Sequence, residues 1–120
     1  MKKRHRLVRR RDFQRALQEP RLVAGRCVVA YVREADPGRH RRPSLRVGIA
    51  VSRRIVGAVA RNRARRRVRE AVRLSCAPGL NGHRLGRGYD VVVIARPAAL
   101  SRPLAVLVGE LRAVWARLPR

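Results

Sequence analysis

The sequence is poor in acids, aromatics and lysine, and each shortage narrows what the chain can be. Of 120 residues, 7 are Asp or Glu against 31 Lys and Arg, a formal net charge of +24. The acids are Asp12, Glu19, Glu34, Asp36, Glu70, Asp90 and Glu110, scattered with no DxD or ExE pair at a strand end. A protein that cuts phosphodiesters with its own metal ions needs clustered carboxylates, so no protein catalytic residue and no protein metal site is expected. His5, His40 and His83 have no ligand spacing, and Gly86-Arg87-Gly88 is too short for a phosphate-binding P-loop. Cys27 and Cys76 stand apart without a CxxC pattern, which fits small thiols in a reducing compartment. No apolar run approaches the roughly 18 residues that span a bilayer. "MKKRHRL" is followed by "VRRRDFQRA" where a signal peptide would turn apolar. A cytoplasmic chain without a membrane partner is expected.

What the sequence has instead is arginine. Only Lys2 and Lys3 are lysines. Arginine keeps its charge, grips phosphate with a planar fork and stacks on bases. Self-repulsion on this scale works against a compact state and favours a polyanionic partner. Nucleic acid is the first partner class to consider.

An apolar fraction of 46% supports a modest core, and the length suits one domain over 1–120. Residues 1–11 read as a basic, flexible arm. "RDFQRALQEP" reads as a short helix ended by Pro20, with Phe13, Ala16 and Leu17 on one face. Leu22-Val23 suits a short edge strand. In "RCVVAYVR", Val28, Ala30 and Val32 share one strand face and Val29 and Tyr31 the other. In "LRVGIAVS", Leu45, Val47, Ile49 and Val51 alternate with Arg46, Gly48, Ala50 and Ser52. Residues 58–75 read as the longest helix, with Ala60, Ala64, Val68, Ala71 and Val72 on its buried stripe. "YDVVVIAR" is a near-continuous apolar run, expected of a central strand covered on both faces. "SRPLAVLVGELRAVWARL" reads as a closing helix capped by Ser101, its stripe Leu104, Leu107, Val108, Leu111, Trp115 and Leu118. The order α-β-β-β-α-β-α points to a single α+β layer sandwich.

Within the long helix, "RNRARRRVREAVR" places seven arginines and one acid between Arg61 and Arg73. Asn62, Arg66, Arg69 and Arg73 cluster opposite the apolar stripe, and Arg65 borders that basic cluster. Like charges unrelieved by acids one turn away cost helix stability, so phosphate is the natural counterpart. DNA readout is a poor fit, because Asn62 is the one base-reading amide and no helix-turn-helix pattern precedes it. Folded RNA fits better. Of the scarce aromatics, Trp115 reads as core, Phe13 suits core or surface, and Tyr31 leans toward exposure, where it would stack single-stranded bases.

"VSRRIVGAVARNRARRRVREA" closely resembles the signature of the bacterial ribonuclease P protein subunit. "RLVRRRDFQRAL", "RVGIAVS" and "YDVVVIAR" match in order and spacing, so the resemblance spans nearly the whole chain. It implies an α+β fold like a domain of a small-subunit ribosomal protein, with a left-handed βαβ crossover against the usual rule. It also implies a partner, a large catalytic RNA that with Mg²⁺ removes the 5′ leader from precursor tRNA, with a single protein copy per RNA. On this reading the chain is an endoribonuclease subunit whose RNA carries the catalysis and holds the Mg²⁺. Arg61, Asn62, Arg63, Arg65 and Arg66 would face the catalytic RNA, joined by Arg69 and Arg73 along the same helix. The leader would lie between the first helix and the sheet, against Phe13, Tyr31, Ser52, Arg53, Arg54 and Arg96. Many relatives carry aromatics at Leu17 and near Val28, so stacking on the leader should be weaker here. The loop 77–88 is longer than in compact relatives. A structural RNA-binding module with no enzymatic association is the competing reading.

Overall fold

The computed structural model describes residues 21–34, 45–75 and 88–118. The expected first helix, the basic arm, Phe13, Leu17, Cys76 and nearly all of the loop 77–88 lie outside them. The described chain runs β1 (Arg21–Ala24), β2 (Val28–Glu34), β3 (Leu45–Val51), α1 (Ala58–Leu74), β4 (Tyr89–Ala95), a short 3-10 helix (Pro97–Leu100) and α2 (Leu104–Ala116). The strands form one sheet in the order β1-β2-β4-β3. β2 runs antiparallel to β1 and β4, whereas β3 and β4 are parallel neighbours joined through α1.

Strand chemistry explains this order. β4 carries Val91, Val92, Val93 and Ile94 in succession, and only Ile94 is less than buried. A strand apolar on both faces belongs in the middle of a sheet, between β2 and β3. β2 alternates instead: Val28, Ala30 and Val32 are buried and Val29 and Tyr31 half-buried. Its buried set joins Leu45, Val47 and Val51 of β3 and Val91, Val93 and Ala95 of β4 in the main core under the helices. The opposite sheet face holds a smaller cluster of Val92 with Tyr31, Ala50 and Ile94.

α1 buries Ala64, Val68, Ala71 and Val72, and Ala60 packs against their edge. The alanines bring the helix backbone close to the sheet. α2 buries Leu107, Val108, Leu111, Val114 and Trp115; of the other residues expected on its stripe, Leu104 is half-buried against the core and Leu118 is buried just beyond the helix. Trp115 is core, and its indole is satisfied: Nε1 donates to Ser75 Oγ at 2.7 Å, and that hydroxyl donates to the Val72 carbonyl at 2.8 Å. The relay ties α2 to the last turn of α1.

One expectation needs correction. Ser101 does not cap α2, which follows Pro103 with no side-chain cap. Pro97 nucleates a 3-10 turn first, and the Ser101 amide donates back to Ala98 O at 3.2 Å, closing that turn. Pro103 lacks an N–H and has φ −56°, a natural entry to a helix. The pleat sends Val28 into the main core, and Val29 shares the face of Tyr31.

Candidate nucleic-acid interface

α1 opens at Gly57, whose φ of 95° and ψ of 139° suit only a residue without Cβ. No acid lies in its first turn and no side chain caps it. Its arginines then separate into three groups. Arg61 turns inward: Nη1 donates to the carbonyls of Ser52 at 3.0 Å and Ile55 at 3.1 Å, and Nη2 to Val51 O at 3.4 Å. Arg67 turns inward on the other flank, with Nε donating to Ala99 O at 2.8 Å and Nη2 to the Arg102 carbonyl. Two more are tied along the surface. Arg65 donates to Asn62 Oδ1 at 3.2 Å, and Arg73 grips Glu70, with Nε to Oε2 at 3.1 Å. The Arg73 guanidinium holds the Glu70 carboxyl below its ordinary range, and Glu70 raises Arg73 in return. Arg63, Arg66 and Arg69 are exposed with no side-chain partner among the described residues.

That division follows from helix geometry. At about 100° per residue, Arg61 and Arg67 lie roughly 60° to either side of Ala64. From there a long side chain can lay its stem on the apolar stripe and carry its head to nearby carbonyls. Arg63, Arg66 and Arg69 start about 100° or more from Ala64 and are exposed, with no carbonyl within reach among the described residues. The periodicity of the sequence contains this signal, although grouping Arg61 with Arg63 by motif hides it.

A second set of candidates gathers where β3 and β4 end. The Ser52 amide donates to Ala95 O at 2.9 Å, which puts Ser52 beside Arg96. The Ile55 amide returns to Ser52 O at 3.1 Å, closing a turn with Arg53 and Arg54 at its tip. The Arg54 amide also donates to Ser52 Oγ at 3.2 Å. Both tip guanidiniums are exposed and have no partner among the described residues. Arg96 is less free, because its Nη1 donates to Gly25 O at 2.8 Å. Tyr31 lies on the second sheet face, in register with Leu22 on one side and Val92 on the other. It is half-buried and packs against Val92, in a cluster with Ala50 and Ile94. The structure thus gathers Ser52, Arg53, Arg54 and Arg96 at one end of the sheet and sets Tyr31 on its face.

Two polar contacts were not singled out from sequence. Arg46 and Asp90 are paired in register on β3 and β4 and form a fork, with Nε to Oδ1 at 2.9 Å and Nη2 to Oδ2 at 3.0 Å. Each occupies the second position of its strand, and that matched placement was the available signal. Glu110 of α2 accepts from the amides of Cys27 at 3.0 Å and Val28 at 3.3 Å. Burial, then Glu110, push the Cys27 thiol up to about 11.

No three His, Cys, Asp or Glu side chains converge on a metal position among the described residues. Asp90, Glu70 and Glu110 are each committed to protein donors. No helix among the described residues is long and apolar enough to cross a membrane.

Fold and surface define a small α+β protein with a cationic outer helix face and a second arginine cluster at one end of its sheet. The sequence model of the Ribonuclease P family matches residues 1–119. The ribonuclease P protein component of Symbiobacterium thermophilum is 41% identical over 117 residues, covering 98% of this chain and 93% of the relative. That of Chloroflexus aurantiacus is 42% identical over 115 residues, covering 95% and 77%. Among solved structures, the ribonuclease P protein of Thermotoga maritima superposes with a TM-score of 0.70 at 27% identity, covering 96% of this chain and 98% of that one. The Staphylococcus aureus protein gives 0.67 at 27% identity, covering 92% and 91%. This chain belongs to the ribonuclease P protein component family, and its place is in tRNA processing.

Proposed function

We propose that this chain binds the catalytic RNA of ribonuclease P through the outer face of α1 and the 5′ leader of precursor tRNA through the sheet end and second sheet face. The observation that carries the reading is the row Arg63, Arg66 and Arg69, exposed and without protein partners among the described residues on a ribonuclease P protein fold. Guanidiniums left free on a chain of +24 repel one another until phosphate lies against them. Asn62, Arg65 and Arg73 flank the row. Arg65 and Arg73 can exchange their surface partners for phosphate at little cost, since water and salt screen exposed contacts of this kind.

The protein's work in this reading is electrostatic and positional. Two polyanions, catalytic RNA and precursor tRNA, repel each other, and the cationic chain between them lowers that repulsion. Ser52, Arg53, Arg54 and Arg96 at the sheet end, with Tyr31 and Phe13, take the single-stranded leader by phosphate contact and stacking. The hydrolysis belongs to the RNA, whose phosphates hold the Mg²⁺. The chain acts as one domain, a single copy per RNA, in the cytoplasm.

The test is processing of precursor tRNA by the cognate RNA at low Mg²⁺, with and without the protein. A gain in rate or in substrate affinity on adding the protein is expected. Equal rates and affinities with and without it would overturn the reading. A pulldown separates the competing role: enrichment of ribosomal RNA rather than one structured catalytic RNA would favour a structural RNA-binding module.

A further inference from the structure

Arg61 belongs to the motif read as an RNA contact, yet its guanidinium faces inward. Its Nη1 is shared between the carbonyls of Ser52 and Ile55 at 3.0 and 3.1 Å, and Nη2 reaches Val51 O at 3.4 Å. These carbonyls belong to the last residue of β3 and to both ends of the turn that closes through the Ile55 amide and Ser52 O at 3.1 Å. Arg53 and Arg54 form the exposed tip of that turn. The Arg61 backbone is equally fixed, because its amide makes the first helical bond of α1 to Gly57 O at 3.0 Å. One residue therefore joins the first turn of the cationic helix to the turn that presents two arginines at the sheet end.

We infer that Arg61 is a positioning residue: it fixes the Ser52–Ile55 turn relative to α1, so that Arg53 and Arg54 meet the leader while Arg63, Arg66 and Arg69 meet the catalytic RNA. The inference rests on the function proposed above. Carbonyls at a strand end carry partial negative charge, and a guanidinium spanning three of them has few N–H groups left for phosphate. A lysine could not reproduce the clamp, since an ammonium has no planar fork.

The test uses the holoenzyme assembled from this chain and its cognate ribonuclease P RNA. Two quantities are read: the salt dependence of protein–RNA affinity, and the affinity for precursor tRNA carrying a long or a very short leader. Arg63→Ala should reduce the log–log salt slope by about one, as loss of a phosphate contact does. Arg61→Met should leave that slope unchanged and erase the long-leader advantage, an effect of roughly tenfold for a lost charge-assisted contact. Arg61→Lys should restore little of it. A slope reduced by Arg61→Met as much as by Arg63→Ala, with the leader advantage intact, would overturn the inference. An unchanged slope in Arg63→Ala and Arg66→Ala would instead count against the proposed RNA face and leave the clamp standing.

The unsubstituted protein supplies a second measurement that needs no variant to fold. Treated with an arginine-selective dicarbonyl reagent, the free protein should show Arg61 protected while Arg63 and Arg66 react, read peptide by peptide in a mass spectrometer. Equal reaction of Arg61 and Arg63 in the folded chain would overturn the clamp.

Discussion

A Cβ placed on Gly25 would stand 1.9 Å from Oε1 of Glu110. The carboxylate occupies the space that any other residue's side chain would claim, and it cannot simply swing away. It accepts from the Cys27 amide at 3.0 and 3.2 Å and from the Val28 amide at 3.3 Å. Gly25→Ala should force the carboxylate off these donors and destabilise the fold by about 1–3 kcal/mol. Glu110→Ala should cost a similar amount by leaving two amides unpaired at the head of β2. Urea unfolding in sulfate buffer measures both. Glycine and alanine variants with coincident midpoints would contradict this account of the close approach.

Cys27 gives the same corner a pH signature. Its thiol is raised to about 11 from an ordinary 9.0, first by burial and then by Glu110. A folded-state pKa above the unfolded value means that the native protein holds a proton the unfolded chain releases. That contribution to stability is complete below about pH 9 and is lost as pH rises through about 11. Comparison of the protein with Cys27→Ala should show their stability difference shifting against the cysteine over this window and flat below it. Alkylation of Cys27 in the folded protein should stay slow until the same alkaline range. A Cys27 thiol that is alkylated rapidly at pH 8 in the folded state would refute the burial argument.

Much of the fold was legible because apolar patterning is decisive where both faces of a strand are covered. The run Val91 to Ile94 marked the centre of the sheet, and the alternation through Val28, Ala30 and Val32 assigned each residue its face. Legibility failed where two local rules compete. Ser101 has the chemistry of a cap, but Pro97 and Pro103 impose a 3-10 turn and a later helix start. The expected interface was less legible than the fold. A motif groups Arg61 with Arg63, whereas carbonyls at the end of β3 and in the turn that follows it draw one inward and leave the other out. Phe13 lies outside the described residues and adds nothing to this comparison.

Gly57 tests the backbone side of the same region. With φ of 95° and ψ of 139° it adopts a conformation nearly restricted to glycine. A Cβ there would meet no atom within 4 Å, so any cost of Gly57→Ala is conformational rather than steric crowding. About 1–3 kcal/mol of destabilisation is expected. The helix start also sets where Arg61 and Arg63 point, so a variant that escapes the strain by shifting that start should weaken RNA affinity as well. An alanine variant as stable as the original chain would exclude the left-handed backbone.

Arginines that serve the fold differ from arginines kept for a partner in what their loss should change. Arg67 donates to the carbonyls of Ala99 and Arg102 and fastens α1 to the segment leading into α2. Arg67→Ala should leave those carbonyls without their donor, cost about 1–3 kcal/mol of stability, and keep the salt slope of RNA binding. The triple change Arg63→Ala, Arg66→Ala and Arg69→Ala should do the reverse. It removes three charges without a partner among the described residues, so stability at low ionic strength should hold or rise. The slope should fall by about 0.9 per lost duplex phosphate contact, and by less where the RNA is single-stranded. Sulfate should raise the melting temperature of the unsubstituted protein more than that of the triple variant, because the anion binds the folded arginine row. Melting curves in sulfate and chloride at matched ionic strength, together with binding isotherms across salt, measure all of these. If Arg67→Ala lowers the slope and the triple variant does not, the two faces of α1 have been assigned the wrong way round.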